Sequence, residues 1–232
     1  QAVEAITTES QRQMFKEHLD VDFGLFLEDI KQRFRVSIFT QRNTPSIVIR
    51  QINRTANSFE EMGLPKDALE KLCNESRGLV LLTGSTGSGK STTIASMIEY
   101  INTRHKKHIL TIEEPIEFTF GDKQSVINQR ELGPDVYSYQ IALKTFALQS
   151  PDVIYIGNIS DYETMATAMT AAETGVLVLS TLHTINAAQT VERIINFFPP
   201  YQHEQVAIQL SSLLKGVISL RLIPYKEKSG RI

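Results

Sequence analysis

The chain of 232 residues has a single cysteine, so neither a disulfide framework nor a cysteine-built zinc site can be assembled from it. Cys73 stands at helical spacing with Leu69 and Leu72, which predicts a buried thiol in a reducing, cytoplasmic compartment. Charge of one sign is also lacking. The net charge of −2 gives no bulk attraction to nucleic acid or to an anionic membrane, and leaves only a local basic patch as a route to either. No apolar run approaches the roughly 18–20 residues that a membrane-crossing helix needs, and no secretory leader pattern is visible. Internal repeats and low-complexity tracts are absent as well. What is present is 41% hydrophobic and 22% charged, enough apolar material for the core of one large or two smaller globular domains. The chain opens at Gln1 and stops at Ile232, just after a turn-like stretch at 226–230, and both ends read as cuts through a larger protein.

The most informative stretch is Gly84-Ser85-Thr86-Gly87-Ser88-Gly89-Lys90-Ser91, which fits GxxxxGK[S/T] at every position. It follows a strand-like run at 79–83 and opens a helical pattern at 91–102 with Ile94, Ala95, Met97, Ile98 and Ile101 on its apolar side. Glycines there let backbone N–H groups curl around a polyphosphate. Lys90 can then reach the β- and γ-phosphates, the Ser91 hydroxyl can ligate Mg²⁺, and Thr92 closes the lining. A ligand-free glycine turn is the alternative, but the complete pattern between a strand and a helix argues for ATP with Mg²⁺.

Around this motif the chain has an order. Residues 8–19 look helical, and β-like runs follow at 21–27, 33–41 and 46–52, a small α+β unit over 1–53. The polar stretch 53–61 reads as a linker, set at 54–63. From 64 to 232 strands alternate with helices: strands at 79–83, 108–113, 153–156 and 176–181, and helices at 91–102, 139–148, 162–174, 186–197 and 201–220. Such alternation, with near-continuous apolar strands, predicts an α/β fold with a largely parallel sheet covered on both faces. Ligands of these sheets bind beyond the strand carboxyl ends, where the phosphate loop lies.

Two further stretches sit at predicted strand ends. Glu113-Glu114-Pro115-Ile116-Glu117 gathers carboxylates that could hold a metal, Glu113 foremost, or orient and deprotonate an attacking water. A solvated acidic loop is the alternative. Leu182-His183-Thr184 offers His183 either as a γ-phosphate sensor or as a structural hydrogen-bonding residue. Met165 and Met169 fit a core helix face.

Together these segments resemble the pilus-retraction branch of the secretion ATPases, the PilT/PilU-type motors of type IV pili. The phosphate loop, the acidic box Glu113–Glu117 with Glu114 where aspartate is usual, and the histidine box Ser180-Thr181-Leu182-His183-Thr184 carry the likeness. So do Arg33-Phe34-Arg35-Val36, Ile127-Asn128-Gln129-Arg130-Glu131 and Ala171-Ala172-Glu173-Thr174-Gly175. Arg33 to Ser37 with Gln41-Arg42-Asn43, and Arg193-Ile194-Ile195-Asn196-Phe197-Phe198-Pro199, resemble the PilU subgroup more than PilT. The resemblance implies a PAS-like N-terminal domain joined to a RecA-like ATPase domain, a homo-hexameric ring, and catalytic roles for Glu113, Glu114, Glu117 and His183. It also implies arginines of the N-terminal domain approaching the triphosphate, for which Arg35 and Arg50 are the candidates by position; solvated strand arginines are the alternative. A partner retraction motor and an inner-membrane pilus platform protein are the implied partners, with no nucleic acid. The implied place is the cytoplasm, with peripheral attachment at the inner face of the cytoplasmic membrane as an alternative.

The chain departs from that family in one region. Asn158 stands where the Walker B glutamate is expected, Ser160 and Leu148 where arginines are usual. Asparagine keeps the size of a carboxylate but carries no charge and takes up no proton. The expectation is intact ATP binding with weakened hydrolysis. A non-hydrolysing nucleotide-binding scaffold that regulates a partner motor is the second reading. A type II or type IV secretion ATPase is the third, disfavoured by the missing cysteine insertion after the histidine box.

Overall fold

The computed structural model describes residues 2–30, 32–52 and 57–223. The turn-like stretch 226–230 and the beginning of the expected linker, 53–56, lie outside the described residues. The chain divides into two compact units, Gln1–Thr55 with Pro115–Thr119, and Ala56–Glu114 with Phe120–Ile232.

The smaller unit begins with α1 (Ala2–Ile6), which the sequence pattern did not reveal, and α2 (Glu9–His18). Helix α2 starts at Thr8 because a reciprocal capping box satisfies two amides: the Thr8 hydroxyl accepts from the Gln11 N–H, and the Gln11 side chain accepts from that of Thr8. Strands β1 (Asp20–Leu27), β2 (Gln32–Gln41) and β3 (Thr44–Gln51) form an antiparallel sheet in that order. Arg42 and Asn43, both at positive φ, make the tight turn between β2 and β3. Period-two alternation puts Val21, Phe23, Val36 and Ile38 on one face, where they form this unit's core.

The larger unit contains α3 (Lys66–Cys73), β4 (Gly78–Thr83), α4 (Lys90–Arg104), β5 (His108–Glu113), β6 (Val126–Glu131), α5 (Tyr139–Phe146), β7 (Val153–Ile156), α6 (Tyr162–Glu173), β8 (Leu177–Leu182), α7 (Ala187–Ile195), α8 (His203–Leu213) and β9 (Leu214–Ser219). The sheet order is β6-β5-β7-β8-β4-β9, with every registered pair parallel. Strand β4 is buried along its whole length and feeds both faces. Leu79 and Leu81 point into a core shared with α5, α6 and α8, while Val80 and Leu82 meet Leu69 of α3 and Ile94, Met97 and Ile98 of α4. The α/β fold with a parallel central sheet is thus as the alternation predicts.

Three expectations need correction. The helical pattern at 201–220 breaks at Leu213, because the backbone of Leu214 turns extended and β9 pairs with the edge of β4. Unpaired N–H and C=O groups along β4 and the β-branched Val217 and Ile218 favour the ladder over a longer helix. Strand β6 went unseen because only Ile127 and Glu131 along it are buried, a weak apolar signal typical of a sheet edge. Residues 57–61 are a built turn rather than a loose linker. Ser58 and Glu61 cap each other's amides, and Phe59, 4% exposed, is buried in the core beside α4.

Candidate nucleotide site

All strands of the larger sheet point the same way, so the carboxyl ends of β5, β7, β8 and β4 lie along one edge. At β4 the chain leaves Thr83 and turns through three glycines of positive φ, Gly84, Gly87 and Gly89, before entering α4. Gly84 is the tightest of these. A Cβ there would lie 2.4 Å from the Leu220 carbonyl oxygen and 2.5 Å from Ser88 Oγ, so no side chain fits. The loop is backed by the end of β9, where Leu220 N–H donates to Thr83 O at 2.8 Å. Ser85, Thr86 and Gly87 are exposed at the tip, and Ser91 and Thr92 are half-buried in the first turn of α4, where helix N–H groups point outward.

Lys90 opens α4 and is only 7% exposed. Its Nζ donates to Gly84 O and Ser85 O, both at 2.9 Å, so the ammonium lies against the loop's own backbone. The Ser88 hydroxyl is buried with no hydrogen-bond partner. At the next strand, β8, the chain runs from Leu182 into His183. Burial, and then the positive charge of Lys90, hold the His183 imidazole below its ordinary range, so the histidine loop and the phosphate-loop lysine feel one another. Asn186 caps α7 just beyond, its side chain accepting from Gln189 N–H at 2.9 Å.

At the end of β7, Gly157 N–H donates to Ile112 O at 2.8 Å, and Gly157 O accepts from the Thr181 hydroxyl at 2.7 Å. Asn158 follows, with its Oδ1 buried and unpartnered. A Cβ on Gly157 would stand 3.3 Å from Glu113 Cα and 3.6 Å from the Tyr139 hydroxyl, so this glycine lets β5, β7 and α5 close together. Glu113, 5% exposed, ends β5; its Oε1 accepts from Thr111 Oγ1 at 2.7 Å and from Gln129 Nε2 at 3.2 Å. Burial, and then the negative charges of Glu114 and Glu113, push the Tyr139 phenol up, so it stays protonated.

The acidic box is therefore not one cluster. Glu113 is buried, Glu114 is exposed next along the chain, and Glu117 is exposed within Pro115–Thr119, which groups with the smaller unit. Among the described residues no three His, Cys, Asp or Glu side chains gather as a metal-holding group. In the smaller unit Arg35 and Arg50 stand directly opposite across β2 and β3. Arg35 Nη2 pairs with Asp22 Oδ2 at 3.0 Å, an exposed ion pair worth about 0–1 kcal/mol. Sequence reasoning gave no contact to Thr111, Gln129, Tyr139 or Thr181, although Gln129 and Thr181 lie in the quoted motif segments and Thr111 sits two residues before Glu113 on the same strand face.

The family model described as Type II/IV secretion system protein matches residues 10–230. The chain is 45% identical over 230 residues to a twitching motility protein of Neisseria gonorrhoeae, which covers 99% of this chain and 61% of that protein. It is 43% identical over 231 residues to the type IV pilus ATPase PilU of Pseudomonas aeruginosa, covering 100% of this chain and 60% of that one. A crystal structure of the pilus retraction motor PilT with bound ADP superposes with a TM-score of 0.93 at 46% identity, over 99% of this chain and 66% of that one. These identities do not separate the PilT branch from the PilU branch. The chain spans about 60% of the length of the curated relatives it matches. Over essentially all of its own length, the chain belongs to the Type II/IV secretion system protein family.

Proposed function

We propose that this chain is the nucleotide-binding part of a ring-forming motor ATPase of the type IV pilus retraction kind, with hydrolysis weakened at Asn158. The observation that carries the reading is a formed phosphate loop between β4 and α4, with His183 at the end of the adjacent strand β8. Lys90 lies over Gly84 and Ser85, and its charge reaches His183 at the end of the adjacent strand. Gly87 and Gly89, where a Cβ would meet nothing within 4 Å, leave open space beside the loop backbone that fits the close approach of a phosphate chain, while Gly84 packs the loop against Leu220 and Ser88. In this reading Gly84, Ser85, Thr86, Gly87, Ser88, Gly89, Lys90, Ser91 and Thr92 line the triphosphate of ATP. Ser91 and Glu113 would hold Mg²⁺, which when bound would supply charge neutralisation to the phosphates.

The reaction is attack of water on the γ-phosphorus with cleavage of the bond to the β-phosphate. Glu114 or Glu117 receives the water's proton, and His183 responds to the γ-phosphate. Arg35 and Arg50 approach the triphosphate in the assembled ring, as PAS-like and RecA-like domains of a homo-hexamer would arrange them. A partner retraction motor and an inner-membrane pilus platform protein are the proposed partners, and the inner side of the cytoplasmic membrane the proposed place of work.

Asn158 also favours a second reading, a nucleotide-binding regulator of a partner motor that does not itself hydrolyse. A neutral amide at the water-orienting position forfeits about 10²–10⁴ in rate, roughly 3–5 kcal/mol of barrier. Phosphate release from bound ATP in a single turnover separates the two. The motor reading expects slow release by the parent protein and none from Lys90→Ala, which also loses binding of a fluorescent ATP analogue. Binding without any release by the parent would favour the regulator. Unchanged binding in Lys90→Ala would remove the site altogether.

A further inference from the structure

Asn158 has no hydrogen bond through Oδ1 to fix its aim, yet the peptide that leads into it is held closely. The registered pairing of β7 with β8 ends at Ile156 and Ser180. At and just beyond that point two side-chain hydroxyls of β8 continue the bonding. Ser180 Oγ donates to Ile156 O at 2.8 Å, and Thr181 Oγ1 donates to Gly157 O at 2.7 Å. Ile159 N–H then returns to Thr181 O at 3.1 Å, so Thr181 clasps the chain on both sides of Asn158. Gly157 O belongs to the peptide joining residues 157 and 158, and rotation of that peptide would swing the Asn158 side chain. Thr181 is 4% exposed and lies two residues before His183 on the same strand end.

We propose that Thr181 is a positioning residue of the hydrolytic site: its hydroxyl sets the plane of the 157–158 peptide, and so the aim of residue 158, and ties that aim to the histidine loop. The inference rests on the nucleotide-hydrolysis reading of the site. The registered pairing of β7 with β8 has ended at Ile156, and Gly157 offers no side chain to lock against. The hydroxyl supplies one directed bond at the place where strand pairing ceases. A shift of His183 towards or away from a bound phosphate then moves β8 at Thr181 and is passed to the chain around residue 158 through the 2.7 Å hydroxyl contact to Gly157 O, beside the 3.1 Å bond from Ile159 N–H.

The test compares Thr181→Val, which keeps the branched shape and loses the hydroxyl, with Thr181→Ser, which keeps the hydroxyl. Affinities for ADP and for ADP with aluminium fluoride, a mimic of the phosphoryl-transfer state, are read beside the single-turnover rate. Thr181→Val should weaken the fluoroaluminate complex and slow release by about tenfold, with ADP affinity unchanged. Thr181→Ser should return both to within about twofold of the parent. Thr181→Ala serves in place of valine if that variant melts early, with the same outcome expected. Equal losses in the valine and serine variants, a parallel fall in ADP affinity, or no loss at all would each overturn the proposal. If the parent itself binds ADP with aluminium fluoride no more tightly than ADP, the hydrolysis reading fails first, and that result is distinct from the others.

Discussion

The ends of β4 and β7 belong to one sheet, and they are built to opposite standards. At the end of β4 the chain carries a glycine cradle, a lysine folded onto it, and the first turn of a long helix. At the end of β7 a neutral amide oxygen is buried without a partner. The first arrangement suits holding an anion; the second carries no charge and, on the proposed reading, is where a carboxylate would act on water. If the proposed site is right, binding and turnover can drift apart in one protein, because separate strand ends would supply them.

The largest expected effect lies at the tight end. Gly84 has φ 144°, and a methyl group there meets backbone carbonyl oxygen at 2.4 Å, an atom that cannot swing aside. Gly84→Ala should cost about 1–3 kcal/mol of strain, which weakens nucleotide binding by about 10–100-fold if the loop must reopen to bind. Gly87→Ala is the internal control. It too has positive φ, but a Cβ there meets nothing within 4 Å, so its loss should be clearly smaller by the same titration. Equal losses at both positions would mean that backbone freedom, not the cradle, is what the loop requires.

A medium effect is expected at the deficient end. Asn158→Glu adds one methylene group and supplies a carboxylate away from the phosphate loop, so nucleotide affinity should hold while single-turnover release rises by about tenfold, or 1.4 kcal/mol. Leu148 and Ser160 are both exposed, and returning them to arginine in the same variant tests whether the gain depends on them as a unit. A parent protein that already matches its Asn158→Glu variant would show that the acidic residues alone suffice.

The same contrast explains what could be read in advance. The phosphate loop was legible because its chemistry is contiguous: the glycines, Lys90 and Ser91 fall within one turn, so spacing alone reports geometry. Asn158 was legible only as a departure from a family pattern. The clasp by Thr181, the support of Glu113 by Gln129, and the approach of Tyr139 from the start of α5 are long-range contacts, which no local period encodes. Strand β9 was hidden for a related reason. Its leucine and isoleucine spacing fits a helix as well as a strand, and only the free edge of β4 decides between them. Glu117 shows the limit of reading a motif as a cluster, since the chain crosses from one compact unit to the other between Glu114 and Pro115.

The smallest effect concerns His183, which follows β8, the strand between β4 and β7. Its imidazole is lowered first by burial and second by Lys90, so removing the lysine charge should undo only the lesser cause. In Lys90→Ala the His183 midpoint, followed by NMR through the ring proton signals and assigned by loss of the signal in His183→Gln, should rise towards the ordinary value of 6.5 without reaching it. The sign for stability follows. Below the ordinary value the unfolded chain takes up a proton that the folded ring resists, so this residue costs stability as pH falls through that value towards the lowered one. Above it, both states are neutral at this position and nothing is lost. His183→Gln should therefore melt less steeply with falling pH than the parent, by a small margin because the ring is partly solvated. A midpoint that stays in place when the Lys90 charge is removed would mean that the histidine loop and the phosphate loop are electrostatically independent, and the sensor role of His183 would have to be given up.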